Sequence, residues 1–132
     1  MKYMLDANIC IYALNRRPVE VLERVIAAGD DGVGLSSIVA AELAFGVVKS
    51  QRAENRTRLE TFLFNLPVLP WSDAVVWDYA EIRHVLERSG QRIGERDLLI
   101  AAHARALDLT LVTNNIREFE RVPHLRLENW AQ

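Results

Sequence analysis

The chain has 132 residues, half of them hydrophobic, and a formal net charge of −2 at pH 7. This length predicts a single domain over residues 1–132, and the hydrophobic share excludes a disordered chain. The charge balance excludes a global attraction to nucleic acid or to anionic membranes, so any contact with nucleic acid needs a local basic patch. The basic residues are 14 Arg and only two Lys, and Arg suits phosphate and base stacking.

A single cysteine, Cys10, excludes an intrachain disulfide and favours a reducing compartment. Near the N-terminus, Asp6 interrupts the apolar run, and no stretch has the length and hydropathy of a signal peptide or a membrane span. We therefore expect a cytoplasmic protein that has no membrane partner.

Strand patterns alternate with helix patterns along the whole chain. Alternation of this kind predicts right-handed crossovers and a parallel sheet that helices cover on both faces. The predicted fold class is therefore α/β, a three-layer α/β/α sandwich with a short parallel sheet. In chain order we predict strands at about 2–5, 33–35, 68–69, 110–113 and 125–128, and helices at about 7–14, 18–28, 37–48, 53–65, 73–89, 96–107 and 116–120.

Three acidic residues are expected at the carboxyl edge of that sheet, where open parallel sheets bind ligands. Asp6 follows the first strand, Glu42 lies two turns into the helix after the second strand, and Asp97 opens the sixth helix. Glu42 is the only charged residue in the segment 38–48. A solvated helix face normally carries several polar residues, so this isolation indicates a specific role.

Each acid also has an ordinary structural explanation. Asp6 and Asp97 stand where helix-capping Asp residues are common, and Glu42 could lie at a helix edge with its stem packed. The prediction of a site therefore depends on the convergence of all three residues at one edge.

Clustered carboxylates repel one another, so either some of them bind protons or a cation lies among them. Oxygen ligands favour Mg²⁺ or Mn²⁺, whereas Cys10 and the three His show no zinc-ligand spacing. Asn114 and Asn115 follow the fourth strand at the same edge. They would bind a metal-bound water or a phosphate, or they simply form a turn.

Taken together, these residues resemble the PIN-domain ribonucleases, specifically the VapC toxins of bacterial type II toxin–antitoxin pairs. The resemblance covers almost the whole chain and lies in four segments that occur in this order: MLDANICIYAL, SSIVAAELAFGV, IGERDLLIAAHARAL and LVTNNIREFERVPHLRLENW. It implies a PIN-like α/β/α sandwich on a parallel sheet.

The resemblance also implies a role for each candidate residue. Asp6, Glu42 and Asp97 would form the acidic site that holds Mg²⁺ or Mn²⁺, with Asp6 and Asp97 as direct ligands and Glu42 holding a metal-bound water or acting as general base. Many relatives carry a further acid shortly after the fourth strand, where this chain has Asn115. Asn115, with Thr113 as a further candidate, would orient the water or the substrate, and Glu118 is near enough in sequence to replace the missing acid. Candidate phosphate contacts are Arg92 and Arg96.

The implied function is that of a toxin: a magnesium-dependent endoribonuclease acting on structured RNA. The closing segment is similar to the branch that cuts the initiator tRNA anticodon stem-loop. The implied partners are the RNA, a second copy in a homodimer, and a VapB-type antitoxin in a toxin–antitoxin hetero-oligomer that contacts DNA only through the antitoxin. A basic residue of the antitoxin tail would neutralise the acids, and the tail would follow a groove beside Ile9, Ile11, Tyr12 and Leu14.

Two alternatives belong to other classes. A haloacid-dehalogenase-like phosphatase would use Asp6 as a covalent nucleophile, with Asn8 in place of the usual second Asp. A receiver-like interaction module would accept phosphate on an Asp and catalyse nothing, but segment 69–71 offers no acceptor after the third strand. Both classes need a late Lys, and no Lys follows residue 49.

Overall fold

Five short strands form a parallel sheet at the centre of the structure, a computed structural model that describes residues 1–131. The order across the sheet is β3-β2-β1-β4-β5, and every neighbouring pair is parallel. This arrangement confirms the predicted α/β class. The strands are β1 (Tyr3–Leu5), β2 (Val33–Ser36), β3 (Val68–Leu69), β4 (Thr110–Val112) and β5 (Leu127–Glu128).

Helices fill the connections between the strands. One short 3₁₀ turn, Gly29–Asp31, precedes the second strand. Another, Asp73–Val75, leads directly into a helix, so the predicted helix at 73–89 begins with a 3₁₀ turn. The last strand is also two residues shorter than predicted. The helices are α1 (Ala7–Asn15), α2 (Val19–Ala27), α3 (Ser37–Ser50), α4 (Ala53–Asn65), α5 (Val76–Arg88), α6 (Glu95–Ala106) and α7 (Ile116–Phe119).

The direction of the chain across the sheet determines where the helices lie. From β1 the chain moves outward through β2 to β3, and it then returns past β1 to β4 and β5. Right-handed crossovers therefore place α1–α4 on one face of the sheet and α5–α7 on the other. All three residues of β1 and of β4 are buried, as expected for central strands that are covered on both faces.

Two polar links join α3 to α6 across the top of the sheet. The Ser36 hydroxyl accepts the Ile38 N–H at 3.1 Å as the N-cap of α3, and it lies 2.8 Å from Nδ1 of His103 in α6. His103 is fully buried, and burial lowers the pKa of its ring, which favours the neutral ring; its Nδ1 shares the hydrogen bond with the Ser36 hydroxyl. The second link runs through Trp71, whose backbone N–H donates to the Ser37 hydroxyl at 3.0 Å and whose indole N–H donates to the Leu99 carbonyl at 3.0 Å.

Within residues 1–131, none of the helices combines the length and the apolar character that a transmembrane span requires.

Two phenylalanines provide a matched test of where the core lies. Phe119 of α7 is completely buried, whereas Phe64 of α4 is 91% exposed. We expect Phe119→Ala to lower the free energy of unfolding by about 3–5 kcal/mol, because it removes packed surface and leaves a cavity. Phe64→Ala, the control, should change it by less than about 0.5 kcal/mol in the dilute monomer, where no second copy covers this side chain. Urea unfolding followed by circular dichroism measures both, and equal losses would contradict this description of the core.

Candidate active site

The candidate site lies at the carboxyl ends of β1 and β4, where the strand order changes direction. Ligands bind at such a switch point in open parallel sheets, because the connections on its two sides diverge and leave a crevice. Asp6 follows β1 directly and Thr113 follows β4 directly. The Asp6 N–H donates to the Val112 carbonyl at 2.9 Å, which fixes the two strand ends side by side.

Asp6 is both a helix cap and a member of the site. Its Oδ1 accepts the Ala7 N–H at 2.7 Å, and its Oδ2 accepts the Thr113 hydroxyl at 2.8 Å. The residue is only 7% exposed. Burial raises the pKa of this carboxyl above its usual value, although both hydrogen bonds oppose the shift. The two explanations considered for Asp6, cap and ligand, are therefore compatible in one geometry.

Asp97, in the first turn of α6, has the most strongly perturbed carboxyl of the site. Burial, followed by the charges of Glu118 and Asp6, raises its pKa to about 7, and Glu42 adds to the shift. A hydrogen bond with Glu118 contributes in the same direction. The structure thus brings the three acids named from the sequence within electrostatic reach of one another and adds Glu118 as a fourth.

Glu118 is held in place by two donors from separate parts of the chain. The Gly94 N–H donates to its Oε1 at 2.9 Å, and the Asn115 amide donates to its Oε2 at 2.8 Å. Although burial opposes them, these hydrogen bonds hold the pKa of Glu118 below its usual value. Of the two residues considered for the missing fourth acid, the structure places the Glu118 carboxylate beside the other acids and joins Asn115 to it by a hydrogen bond.

Glu42 lies at the rim of the site on α3, with a quarter of its side chain exposed. Burial raises the pKa of Glu42, and the charge of Asp6 adds to the shift. The Arg96 guanidinium opposes the shift from 3.8 Å, a long ion pair. Glu42, Arg96 and Asp97 line the same open depression of about 460 Å³ together with Gly94 and Glu95.

Asn114 makes a contact that sequence reasoning missed. Its amide donates to the Tyr12 hydroxyl at 2.9 Å, and Asn8 approaches its Oδ1 at 3.5 Å. Tyr12 lies six residues after Asp6 in α1, and the only signal in the sequence was that its hydroxyl would need a partner when half buried. Of the four apolar residues named beside the groove, Ile9 is completely buried in the core that α1 covers, whereas Ile11 is 40% exposed.

The donor set of the site is suited to a hard cation. Four carboxylates meet there, and oxygen ligands select Mg²⁺, Mn²⁺ or Ca²⁺ rather than a softer metal. Over residues 1–131 no three His, Cys, Asp or Glu side chains are already grouped as ligands of one ion. The described acids therefore act on one another electrostatically without forming a ready-made set of ligands.

Comparison with known proteins identifies the family. The sequence profile of the PIN domain matches residues 3–125. The chain is 48% identical to Ribonuclease VapC2 of Rickettsia felis, over 98% of both chains. It is 41% identical to the tRNA(fMet)-specific endonuclease VapC of Shigella flexneri, over 99% of both chains.

Solved structures agree with this result. The VapBC2 structure from Rickettsia felis, bound to a DNA fragment from the promoter, superposes with a TM-score of 0.92 at 46% identity, covering 98% of this chain and 99% of that one. DNA-bound VapBC from Salmonella typhimurium gives 0.92 at 38% identity, covering 98% of both. The chain therefore belongs to the PIN-domain family, and within it to the VapC ribonucleases. With the family shown, neither the phosphatase nor the receiver-like alternative is retained.

The raised pKa of Asp97 makes a prediction about stability without metal. Because its folded-state pKa of about 7 exceeds the unfolded value, ionisation of Asp97 destabilises the fold as the pH rises through 7. Asp97→Asn cannot ionise, and its amide can still donate to Glu118. In EDTA at pH 8 we expect this variant to be more stable than the wild type by on the order of 1 kcal/mol, after allowance for solvent exposure.

This gain should be clearly smaller at pH 5, where Asp97 of the folded wild type is protonated, and should vanish only below about pH 4, where the carboxyl is protonated in the unfolded chain as well. Urea unfolding at the two pH values measures it, and Asp30→Asn, on an exposed turn, serves as the control. A gain of the same size at both pH values would contradict the proposed repulsion.

Proposed function

We propose that this protein is the toxin of a toxin–antitoxin pair and that it hydrolyses RNA at the site of Asp6, Glu42, Asp97 and Glu118. The observation that carries the proposal is that these carboxyls shift one another's pKa values at the switch point between β1 and β4. Relatives from Shigella flexneri and Salmonella typhimurium are named tRNA(fMet)-specific endonucleases, and we propose the same initiator tRNA as substrate. The activity needs only one domain, residues 1–132, and we place it in the cytoplasm, where tRNA is found.

Mg²⁺ is the proposed cofactor, with Mn²⁺ as a substitute, and Asp6, Asp97 and Glu118 would hold it. When bound, such an ion polarises a phosphate and lowers the pKa of water. Because a ligating carboxyl has to be ionised, binding of the ion would displace the proton that Asp97 retains near pH 7 through its raised pKa.

The remaining residues of the site act through position and proton affinity. The Thr113 hydroxyl and the Ala7 N–H fix the direction of the Asp6 carboxylate. Asn115 fixes Glu118, so we assign it an orienting role toward that acid rather than direct contact with the substrate. Glu42 stands at the open rim with a raised pKa, which favours a general base that takes a proton from water.

Neutralising either central acid should abolish cleavage and leave the fold intact. We expect Asp6→Asn and Asp97→Asn to lower the rate of initiator tRNA cleavage by at least about 100-fold in Mg²⁺, because each removes a charge on which metal binding depends. Asp30→Asn, in the turn before β2 and thus at the opposite edge of the sheet, should cleave like the wild type. Gel analysis of the cleaved RNA, with circular dichroism of each variant, provides the test. Full activity in both site variants would rule out the metal-site assignment.

The proposed antitoxin is of the VapB type, and a groove beside the site offers a place for its tail. Ile11, Leu14, Val47 and Leu59 line this groove, and Glu42 lies at its end. An amphipathic tail helix would cover the apolar walls and bring a basic side chain to the acids. The support is the similarity to VapBC complexes together with the exposure of Ile11, 40%.

A charge in this groove should weaken the antitoxin selectively. We expect Ile11→Glu to reduce inhibition of RNA cleavage by the antitoxin about tenfold or more, because the carboxylate would be buried against the tail. Val85→Glu, at a similarly exposed position on α5, is the control. Titration of antitoxin against cleavage measures both variants. The proposal for the groove fails if the antitoxin without its tail inhibits as fully as the intact protein.

A homodimer, and a hetero-oligomer with the antitoxin, complete the proposed assembly. Phe45 and Val48 of α3 are 67% and 70% exposed, and neighbouring α4 presents Phe64. Large apolar side chains that are exposed together on one face usually mark an interface. Their exposure supports a second copy of the chain, in addition to the antitoxin, on the face formed by α3 and α4.

A further inference from the structure

A second charged surface, distinct from the acids, lies beside the candidate site. Arg117 and Arg121 line an open depression of about 490 Å³ with Gln91 and Glu120. The Arg121 guanidinium also donates to the Arg92 carbonyl at 3.0 Å. That hydrogen bond attaches the end of α7 to the loop that precedes α6. We call the surface of Arg92, Arg117 and Arg121 the arginine surface.

The arginine surface and the acidic site share the same supports. Glu118, the fourth acid, follows Arg117 on α7, and Arg121 lies two residues beyond the end of that helix. The Glu118 carboxylate is held by Gly94, in the same loop as Arg92. The positive charge of Arg121 acts on Glu118, whose pKa it helps to lower. Arg121 therefore lies within electrostatic reach of the acidic site.

The three arginines have no carboxylate partner in the described structure. In residues 1–131, none of the ion pairs within 4.0 Å includes Arg92, Arg117 or Arg121. Arg56, by contrast, pairs with Glu60 on α4 at 3.7 Å. Exposed guanidinium groups without carboxylates are available for phosphate, which they bind through a planar fork of donors.

We propose that Arg117 and Arg121, together with Arg92, form a second phosphate-binding site that takes a backbone phosphate of the RNA next to the phosphate being cleaved. This inference rests on the proposed function and adds to it the part of the protein that holds the substrate. With a net charge of −2 the chain has no global attraction to RNA, and its acids repel phosphate. A local group of arginines beside the site supplies an attraction that the net charge does not. Glu120, in the same depression, opposes it.

The test combines cleavage kinetics with the salt dependence of binding, using initiator tRNA in Mg²⁺. Arg117→Ala and Arg121→Ala should each raise KM about three- to tenfold, since they lose substrate binding. Arg117→Ala should leave kcat nearly unchanged, whereas Arg121→Ala should also lower kcat, because Arg121 contacts the loop whose Gly94 N–H holds Glu118. In the Asp6→Asn background, which binds without cleaving, each should reduce the slope of log K against log salt concentration by about 1.

Three further variants make the test specific. Arg117→Lys should retain the salt slope, because the charge remains. Glu120→Gln should lower KM, because a carboxylate beside the bound phosphate is removed. Arg56→Ala, an exposed arginine that already has a carboxylate partner, should leave KM and the slope unchanged.

The results separate this inference from the function on which it rests. Cleavage by the wild type with unchanged KM and slope in both Arg→Ala variants would overturn the arginine surface alone. Absence of RNA cleavage by the wild type would overturn the proposed function and this inference with it. If the two variants lost antitoxin inhibition while KM for RNA stayed the same, the surface would belong to a protein partner and the inference would be wrong.

Discussion

Repulsion among buried carboxylates is the constraint on which this structure depends. Asp6 and Asp97 meet at the crevice between β1 and β4, where burial raises the pKa of both. Three local contacts oppose this repulsion: the Thr113 hydroxyl donates to Asp6, a hydrogen bond joins Asp97 to Glu118, and the Gly94 N–H donates to Glu118. Each of these contacts is made by a segment whose position the central strands fix. The sheet topology therefore determines which groups meet in the site.

Much of this could be predicted from the sequence, because the signals were local. Asp6 ends a buried strand and Glu42 interrupts an apolar helix, so the parallel fold and the ends of its strands predicted their meeting with Asp97. Glu118 was only a possibility, because its role depends on the Gly94 N–H, 24 residues away, and on a helix of one turn. The link between Ser36 and His103 was equally out of reach, since no spacing in the sequence relates residues 67 positions apart.

The candidate site also shows why a structural and a functional role should not be treated as exclusive. Asp6 caps α1 through Oδ1 while Oδ2 faces Thr113. The cap restricts the conformations of the Asp6 side chain. A carboxylate held in this way would lose little conformational entropy on binding a metal ion. The polar links between α3 and α6 act in the same way at longer range. They connect the helix that carries Glu42 to the helix that carries Asp97, so core packing determines the spacing of the acids.

The local charge of the acids explains how a bound cation, substrate or inhibitor could control this site. The acids form a local negative centre that a cation, a guanidinium or a proton can neutralise, and these three are mutually exclusive at one carboxylate. Mg²⁺ would favour RNA, whereas a basic side chain of the antitoxin would occupy the same charges and exclude both metal and phosphate. The arginines beside Glu118 have the opposite sign and would attract RNA but not a basic tail. RNA would therefore contact both the acids and the arginines, whereas the antitoxin tail would contact only the acids. The two would still compete for the same acids.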